Sequence, residues 1–289
     1  MKSAFVAIIG RPSSGKSTLL NQLTGHKVSI ISKVPQTTRN RIRGILNEES
    51  GQLVFIDTPG FHLSERKLNL HLKKLILDTL KEVDMIVYLV DSTRAPGTEE
   101  ENLWQLLSPL ALPLVIAVNK IDHKSALLEP LLVQLHSHFS AAPLVPVSAL
   151  TGEGLPRLKE VLFAAAPEGE LLYPQDFYTD QTPEFRIAEI IREKAITRTH
   201  SELPHALYVE LSDMEMQERH LWVRGFLCVE RDSQKGILIG SGGDKIRAIV
   251  REAEAELNDI FPYTVKLDLR VKVRPKWRKK DGLLKKLIT

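Results

Sequence analysis

The stretch Gly10-Arg11-Pro12-Ser13-Ser14-Gly15-Lys16-Ser17 has the spacing G-x-x-x-x-G-K-[ST]. Its glycines let the backbone curl so that successive N–H groups face one anion. The residues read as that cradle are Gly10, Ser13, Ser14, Gly15, Lys16, Ser17 and Thr18. Lys16 is placed to reach the β- and γ-phosphates of a nucleotide, and the Ser17 hydroxyl can bind Mg2+. Asp57-Thr58-Pro59-Gly60 adds a carboxylate opposite Ser17 for the same ion and a Gly60 N–H for the γ-phosphate. In Pro35-Gln36-Thr37-Thr38-Arg39, Thr38 is the expected second hydroxyl on Mg2+, with Thr37 as its rival. The expected catalytic groups are therefore Lys16, Thr38 and Gly60, and the expected metal ligands Ser17, Thr38 and Asp57.

Such a loop serves ATPases, kinases and GTPases alike. Asn119-Lys120-Ile121-Asp122 chooses between them. A carboxylate at 122 can accept from guanine N1–H and the exocyclic amine, a donor pair that adenine lacks. With ATP it would stay unpaired at a cost, which disfavours a P-loop kinase. Asn119 and Lys120 are expected to brace the loops and pack along the base. Ser148-Ala149-Leu150 is expected to offer the Ala149 N–H to the guanine O6. Phe61 stands where Ras-like proteins carry a water-orienting glutamine, and its ring can only pack. Hydrolysis would then rest on positioning, Mg2+, Lys16 and something added by a partner or a cation.

These groups need a common scaffold. Segments 4–9, 42–47, 53–56, 85–90, 114–118 and 144–147 read as strands, most of them continuous apolar runs. Helical spacing occupies 16–24, 65–81, 98–107, 130–139 and 155–165. This alternation predicts an α/β domain over 1–168 with a mostly parallel sheet covered on both faces. Each tetrapeptide follows a strand, at the carboxyl edge where ligands collect in open α/β sheets.

Proline-rich 169–183 reads as a linker. Beyond it, helix 184–197, strands 206–211 and 221–229, helices 234–239 and 245–260, and strand 265–273 predict an α+β domain over 184–274. That order, with Gly240-Ser241-Gly242-Gly243 between its last two helices, fits a KH domain. The expected RNA contacts are Lys235, Gly236, Ile239, Gly240, Ser241, Gly242, Gly243, Lys272, Arg274 and Lys276, with Trp277 as a stacking surface.

Charge supports a polyanionic partner. Residues 1–170 hold 18 basic and 17 acidic side chains, and 171–264 hold 11 and 17. The last 25 residues hold 10 and 2, and 275–289 read as a basic tail. With 43% apolar and 26% charged residues and no bilayer-length apolar run, a soluble cytoplasmic protein is expected. The single cysteine, Cys228, sits in an apolar run and reads as a buried small residue.

Together the motifs, with Glu230-Arg231-Asp232-Ser233-Gln234-Lys235-Gly236 leading into the second glycine loop, resemble the Era family of bacterial GTPases. The resemblance covers nearly the whole chain. It implies a GTP-hydrolysing assembly factor of the small ribosomal subunit whose KH domain binds the 3′ end of the small-subunit ribosomal RNA. It also implies peripheral association with the inner face of the cell membrane. No stable protein partner is expected. Two departures stand out: the family's first loop usually has asparagine and valine where this chain has Ser13 and Ser14, and its KH loop usually has lysine at Ser241. In related GTPases that asparagine helps hold potassium; a serine is a shorter, poorer ligand. Ser241 removes one phosphate contact, which should weaken RNA binding modestly and lower its salt dependence. The competing expectation is an RNA-binding scaffold that holds GTP structurally and hardly turns it over.

Overall fold

The computed structural model describes residues 1–32, 34–35, 37–61, 67–200 and 202–288. Gln36, in the threonine loop, and residues 65–66, at the expected start of the second helix, lie outside these. The chain forms two compact units, 1–29 with 35–180 and 285–289, and 30–34 with 181–284.

The first unit is a six-stranded sheet in the order β2-β3-β1-β4-β5-β6. Its strands are β1 Lys2–Ile9, β2 Ile42–Glu48, β3 Gly51–Asp57, β4 Met85–Asp91, β5 Leu114–Asn119 and β6 Leu144–Pro146. All neighbours run parallel except β2, which pairs antiparallel with β3 from Ile42↔Asp57 to Glu48↔Gly51. Ala4, Val6, Ala7 and Ile8 are fully buried, as a strand covered on both faces must be. The helices are α1 Lys16–Thr24, α2 Lys67–Thr79, α3 Thr98–Leu107, α4 Leu128–His138 and α5 Leu155–Ala165. Leu19, Leu20 and Leu23 turn one side of α1 into the core. Each such burial stabilises by about 1.5–3 kcal/mol, which anchors the helix whose first turn follows the glycine loop.

Residues 169–180 are not a free linker. The side chain of Gln52, fully buried, accepts from the N–H groups of Leu172 and Tyr173 at 2.9 Å and donates to the Tyr173 carbonyl at 2.9 Å. The Ile45 N–H donates to the Tyr178 carbonyl at 2.9 Å, so the segment covers the open edge of β2.

In the second unit, α6 Pro183–Thr197 starts where Thr182 Oγ1 accepts from the Phe185 N–H at 3.3 Å, with Pro183 at the first helical position. A short turn α7 Leu203–Ala206 precedes strand β7 Tyr208–Gln217. Ala206, expected to open a strand, instead ends this helical turn behind Pro204. β7 runs well past the expected 211 because it pairs with β8 His220–Val229 through a bulge between Leu211 and Asp213. Helices α8 Asp232–Ile239 and α9 Asp244–Ile260 follow, then β9 Thr264–Val273, parallel to β8. Ile187, Ile191, Val223, Leu227, Leu238, Ile249 and Leu257 are among the core on the helix side of this sheet.

The basic tail is folded. Trp277 is 1% exposed, its Nε1 donates to the Ala206 carbonyl at 2.8 Å, and its ring lies 4.8 Å from that of Tyr208. A last helix, α10 Asp281–Leu287, buries Leu284. Trp277 is therefore a core residue and not the stacking surface expected of it: its indole N–H needs a buried acceptor, and finds one.

Candidate nucleotide site and candidate RNA interface

Ser17 opens α1, Thr38 lies in the loop before β2, and Asp57 ends β3, yet the three converge. Asp57 Oδ2 accepts from Ser17 Oγ at 2.6 Å and from Thr38 Oγ1 at 3.3 Å, and the two hydroxyls are 2.9 Å apart. Ser29, which no motif marks, adds a third hydroxyl to the same oxygen at 2.9 Å. Asp57 Oδ1 is buried with no hydrogen-bond partner. A fully buried carboxylate with one orphaned oxygen, beside two hydroxyls gathered on its other oxygen, suits a hard cation, so the residues present fit Mg2+. Burial pushes the Asp57 pKa up, opposed by the Lys16 ammonium and the hydroxyl donors.

Lys16 Nζ donates to the carbonyls of Gly10 at 3.0 Å and Arg11 at 2.9 Å. Burial lowers its pKa to about 8, against the pull of Asp57 and Glu100. Gly60 needs the absence of a side chain: a Cβ there would lie 2.7 Å from the Pro12 Cα. Phe61 is 4% exposed within the sheet's core, the packing role expected of it.

Asn119 and Lys120 clamp the glycine loop. Asn119 Nδ2 donates to the Ser14 carbonyl at 2.8 Å, and Lys120 Nζ donates to the Ser13 carbonyl at 2.9 Å and to Asp91 Oδ2 at 2.7 Å. Gly15, at φ 102°, keeps clear the space that Asn119 fills. The Ala149 N–H, expected to face guanine O6, donates instead to Asn119 Oδ1 at 2.8 Å. A base contact from Ala149 would have to share that bond. Asp122 is exposed in the loop after β5, and Ser148 is buried after β6, its Oγ accepting from the Thr151 N–H at 3.1 Å. Ser14 is fully buried with its hydroxyl unpartnered, whereas Ser13 is exposed at φ 63°. Potassium finds no buried oxygen offered by the Ser13 side chain; the fit is poor, and no step is derived through that ion. Thr18 lies in the first turn of α1.

A polar network below the loop went unread in the sequence. Arg11 Nε stands 3.4 Å from Glu100 Oε1, and Tyr88 Oη donates to Glu100 Oε2 at 2.6 Å. Trp104 Nε1 donates to Tyr88 Oη at 3.0 Å. Burial raises the pKa of Glu100, and Tyr88 and Arg11 oppose it. Arg11 could have been singled out as a charge inside a phosphate loop, but its partner lies on α3, beyond any local pattern.

In the second unit, the stretch from Lys235 to Gly243 is mostly solvent-facing. Gly236, Ser241 and Gly242 are exposed, and Lys235, Ile239, Gly240 and Gly243 are half-buried. Arg247 Nη1 donates to the Gly242 carbonyl at 2.7 Å and braces the turn. Lys272 Nζ lies 4.7 Å over the Phe226 ring, Arg274 is held by Glu210 at 3.3 Å, and Lys276 is exposed. Arg278 is likewise paired, to Glu230. The cations of the basic strip are thus less free than a solvated tail would leave them.

Comparison with known proteins finds a separate match in each part of the chain. Residues 5–120 match the family model described as 50S ribosome-binding GTPase, and residues 202–278 the KH domain model. The chain is 51% identical to GTPase Era of Treponema denticola over 99% of both chains, and 42% identical to that of Borreliella afzelii over the full length of both. Among solved structures, Aquifex aeolicus Era bound to GDP and AlF4− superposes with a TM-score of 0.94 at 36% identity, covering 99% of this chain and 98% of that one. An Era structure in complex with MgGDPNP and nucleotides 1506–1542 of 16S ribosomal RNA gives 0.95 at 35%, with the same coverage. With relatives this similar over their whole length, the chain belongs to the Era family of GTPases.

Proposed function

We propose that this protein binds the 3′ end of the small-subunit ribosomal RNA through its KH unit and acts in assembly of the small ribosomal subunit, with GTP binding and hydrolysis setting that affinity. The observation that carries the reading is the convergence of Ser17 and Thr38 on the buried Asp57 carboxylate, in a chain that also holds a largely solvent-facing G-x-x-G turn. In this reading Ser17 and Thr38 hydroxyls and the Asp57 carboxylate hold Mg2+, which supplies charge neutralisation between phosphates. Lys16 leaves the Gly10 and Arg11 carbonyls for the β- and γ-phosphates, Gly60 offers its N–H to the γ-phosphate, and Asp122 accepts from guanine. Asn119 and Lys120 keep the loop in shape while this happens.

Just before the threonine loop the chain passes from the first unit into the second and back. Ser29 bonds Asp57, while two residues on the Ile31 N–H donates to Glu193 Oε1 of α6 at 2.8 Å and Val34 packs against the second unit's core. Ordering Thr38 around the γ-phosphate pulls on that same segment. Two experiments test the reading. Asp122→Asn should move preference from GTP towards xanthosine triphosphate; retained GTP preference would sink the base-recognition argument. Crosslinking of the KH unit to the rRNA 3′ end should differ between GTP and GDP states; equal yields would remove the switch.

A second reading is favoured by Phe61, which is 4% exposed and, at its own position, offers no polar group to orient water: a scaffold that binds RNA and holds GTP with little turnover. Phosphate release with and without ribosomal RNA separates the two. The membrane association carried by the family resemblance would be peripheral, because no described helix is long and apolar enough to cross a membrane.

A further inference from the structure

Trp277 is buried, but another indole is not. Along β8, Leu221, Val223 and Leu227 point into the core, so Trp222, Arg224 and Phe226 share the opposite face. Trp222 is 48% exposed, against 5% for Trp104 and 1% for Trp277. Parallel pairing sets Lys266 beside Trp222, Asp268 beside Arg224, Arg270 beside Phe226 and Lys272 beside Cys228. Antiparallel pairing sets Glu215, Asp213 and Glu210 along the other flank. One sheet face thus carries a column of acids on β7, an exposed indole on β8 and a column of cations on β9.

Two of these cations are well exposed and only loosely paired. The side chains of Lys266 and Arg270 are 51% and 68% exposed. Asp268 is engaged mainly by Arg224, at 3.1 Å, with Arg270 at 3.6 Å, and Lys266 stands 3.9 Å from Glu254. On β9 itself Lys266, Arg270 and Lys272 face one carboxylate, Asp268. Lys272, over the Phe226 ring, keeps its charge on this face.

We propose that this sheet face is a second RNA-binding site, where a base stacks on Trp222 and the backbone phosphates run along β9 past Lys266, Arg270 and Lys272. The proposal rests on the RNA reading above and extends it. A G-x-x-G turn clamps about four nucleotides, so a longer single strand has bases left over. The charge pattern selects the occupant: the acids of β7 repel a polyanion from one flank, and β9 offers it a path along the other. An exposed indole stacks any base, which suits a strand whose sequence is read elsewhere.

The test uses the full chain, loaded in parallel with GDP and with a non-hydrolysable GTP analogue, and a labelled single-stranded RNA of about 12 nucleotides from the small-subunit rRNA 3′ end, three times what the turn clamps. RNA should quench the fluorescence of Trp222, and Trp222→Ala should abolish that quench and weaken binding about tenfold. Trp222→Phe should keep most of the affinity. Lys266→Gln with Arg270→Gln should lower the slope of log affinity against log salt by about 1–2. Gly242→Asp, which charges the turn, separates the two sites. If it abolishes binding while Trp222→Ala leaves affinity and quench unchanged, the sheet site is overturned and the KH reading stands. If the unaltered chain binds no RNA in either nucleotide state, both fall. If Trp222→Ala spares RNA but loses a protein contact on the ribosomal subunit, the face is a protein-docking surface and the proposal fails.

Discussion

The two units treat their functional side chains in opposite ways. In the nucleotide unit the polar groups are already tied to one another: Asp57 takes three hydroxyls, Asn119 bridges Ser14 and Ala149, and Lys16 closes on two carbonyls. In the second unit Gly236, Ser241, Gly242, Trp222 and Lys276 face solvent. A small ligand that must be enclosed needs buried donors held in place before it arrives, and buried donors need partners. A polymer that passes over a surface needs an open face and loses little by leaving its contacts solvated.

This contrast can be broken or sharpened by substitution. The largest expected effect is on stability: Trp277→Ala should cost about 3–5 kcal/mol by chemical denaturation, because it empties a core position and strands the Ala206 carbonyl. Trp222→Ala should stay within about 0.5 kcal/mol. Equal costs would mean that the difference in burial between the two indoles is not what sets their contribution. Next, Asp57→Asn should lower single-turnover hydrolysis at least about hundredfold with overall folding retained, since it removes the charge where three hydroxyls converge. A loss below about fivefold would detach that convergence from catalysis. Asn119→Ala leaves the Ala149 N–H and the Ser14 carbonyl without partners, and should destabilise the nucleotide-free protein by about 2 kcal/mol while weakening GDP.

Nucleotide binding in the first unit should depend on pH. Lys16 has its pKa lowered to about 8, and phosphate binds the protonated form. Nucleotide binding therefore takes up a proton above that value: GDP affinity measured in EDTA should be level below pH 8 and fall about tenfold per unit above it. A flat profile to pH 9.5 would show that Lys16 stays charged when buried. The smallest effect is Thr182→Ala, which removes the cap of α6 and should cost about 1 kcal/mol in thermal unfolding of the second unit, with GDP affinity unchanged.

The legible part of the molecule was the part with short-range constraints. Residues 10–17, 57–60 and 119–122 follow β1, β3 and β5, and apolar periodicity marks those strands, so the common edge could be read along the chain. Gly10, Gly15 and Gly60 are set by local backbone needs and close approach. Ser29, Glu100 and Gln52 carried no such mark. Their partners Asp57, Arg11 and Tyr173 are 28, 89 and 121 residues away in sequence, and a hydrogen bond across such separations leaves no pattern in either stretch.

By itself the amino-acid sequence determined the nucleotide chemistry to be sought, the alternation of the first domain and the order of the second, because spacing and periodicity act within one turn or one strand. Tertiary structure alone decided which groups were already paired. It placed Trp277 in the core and left Trp222 outside, turned the linker into a strap along β2, and gave the Ala149 N–H to Asn119. Burial and pairing belong to three-dimensional neighbours, and those are chosen only when the sheets close.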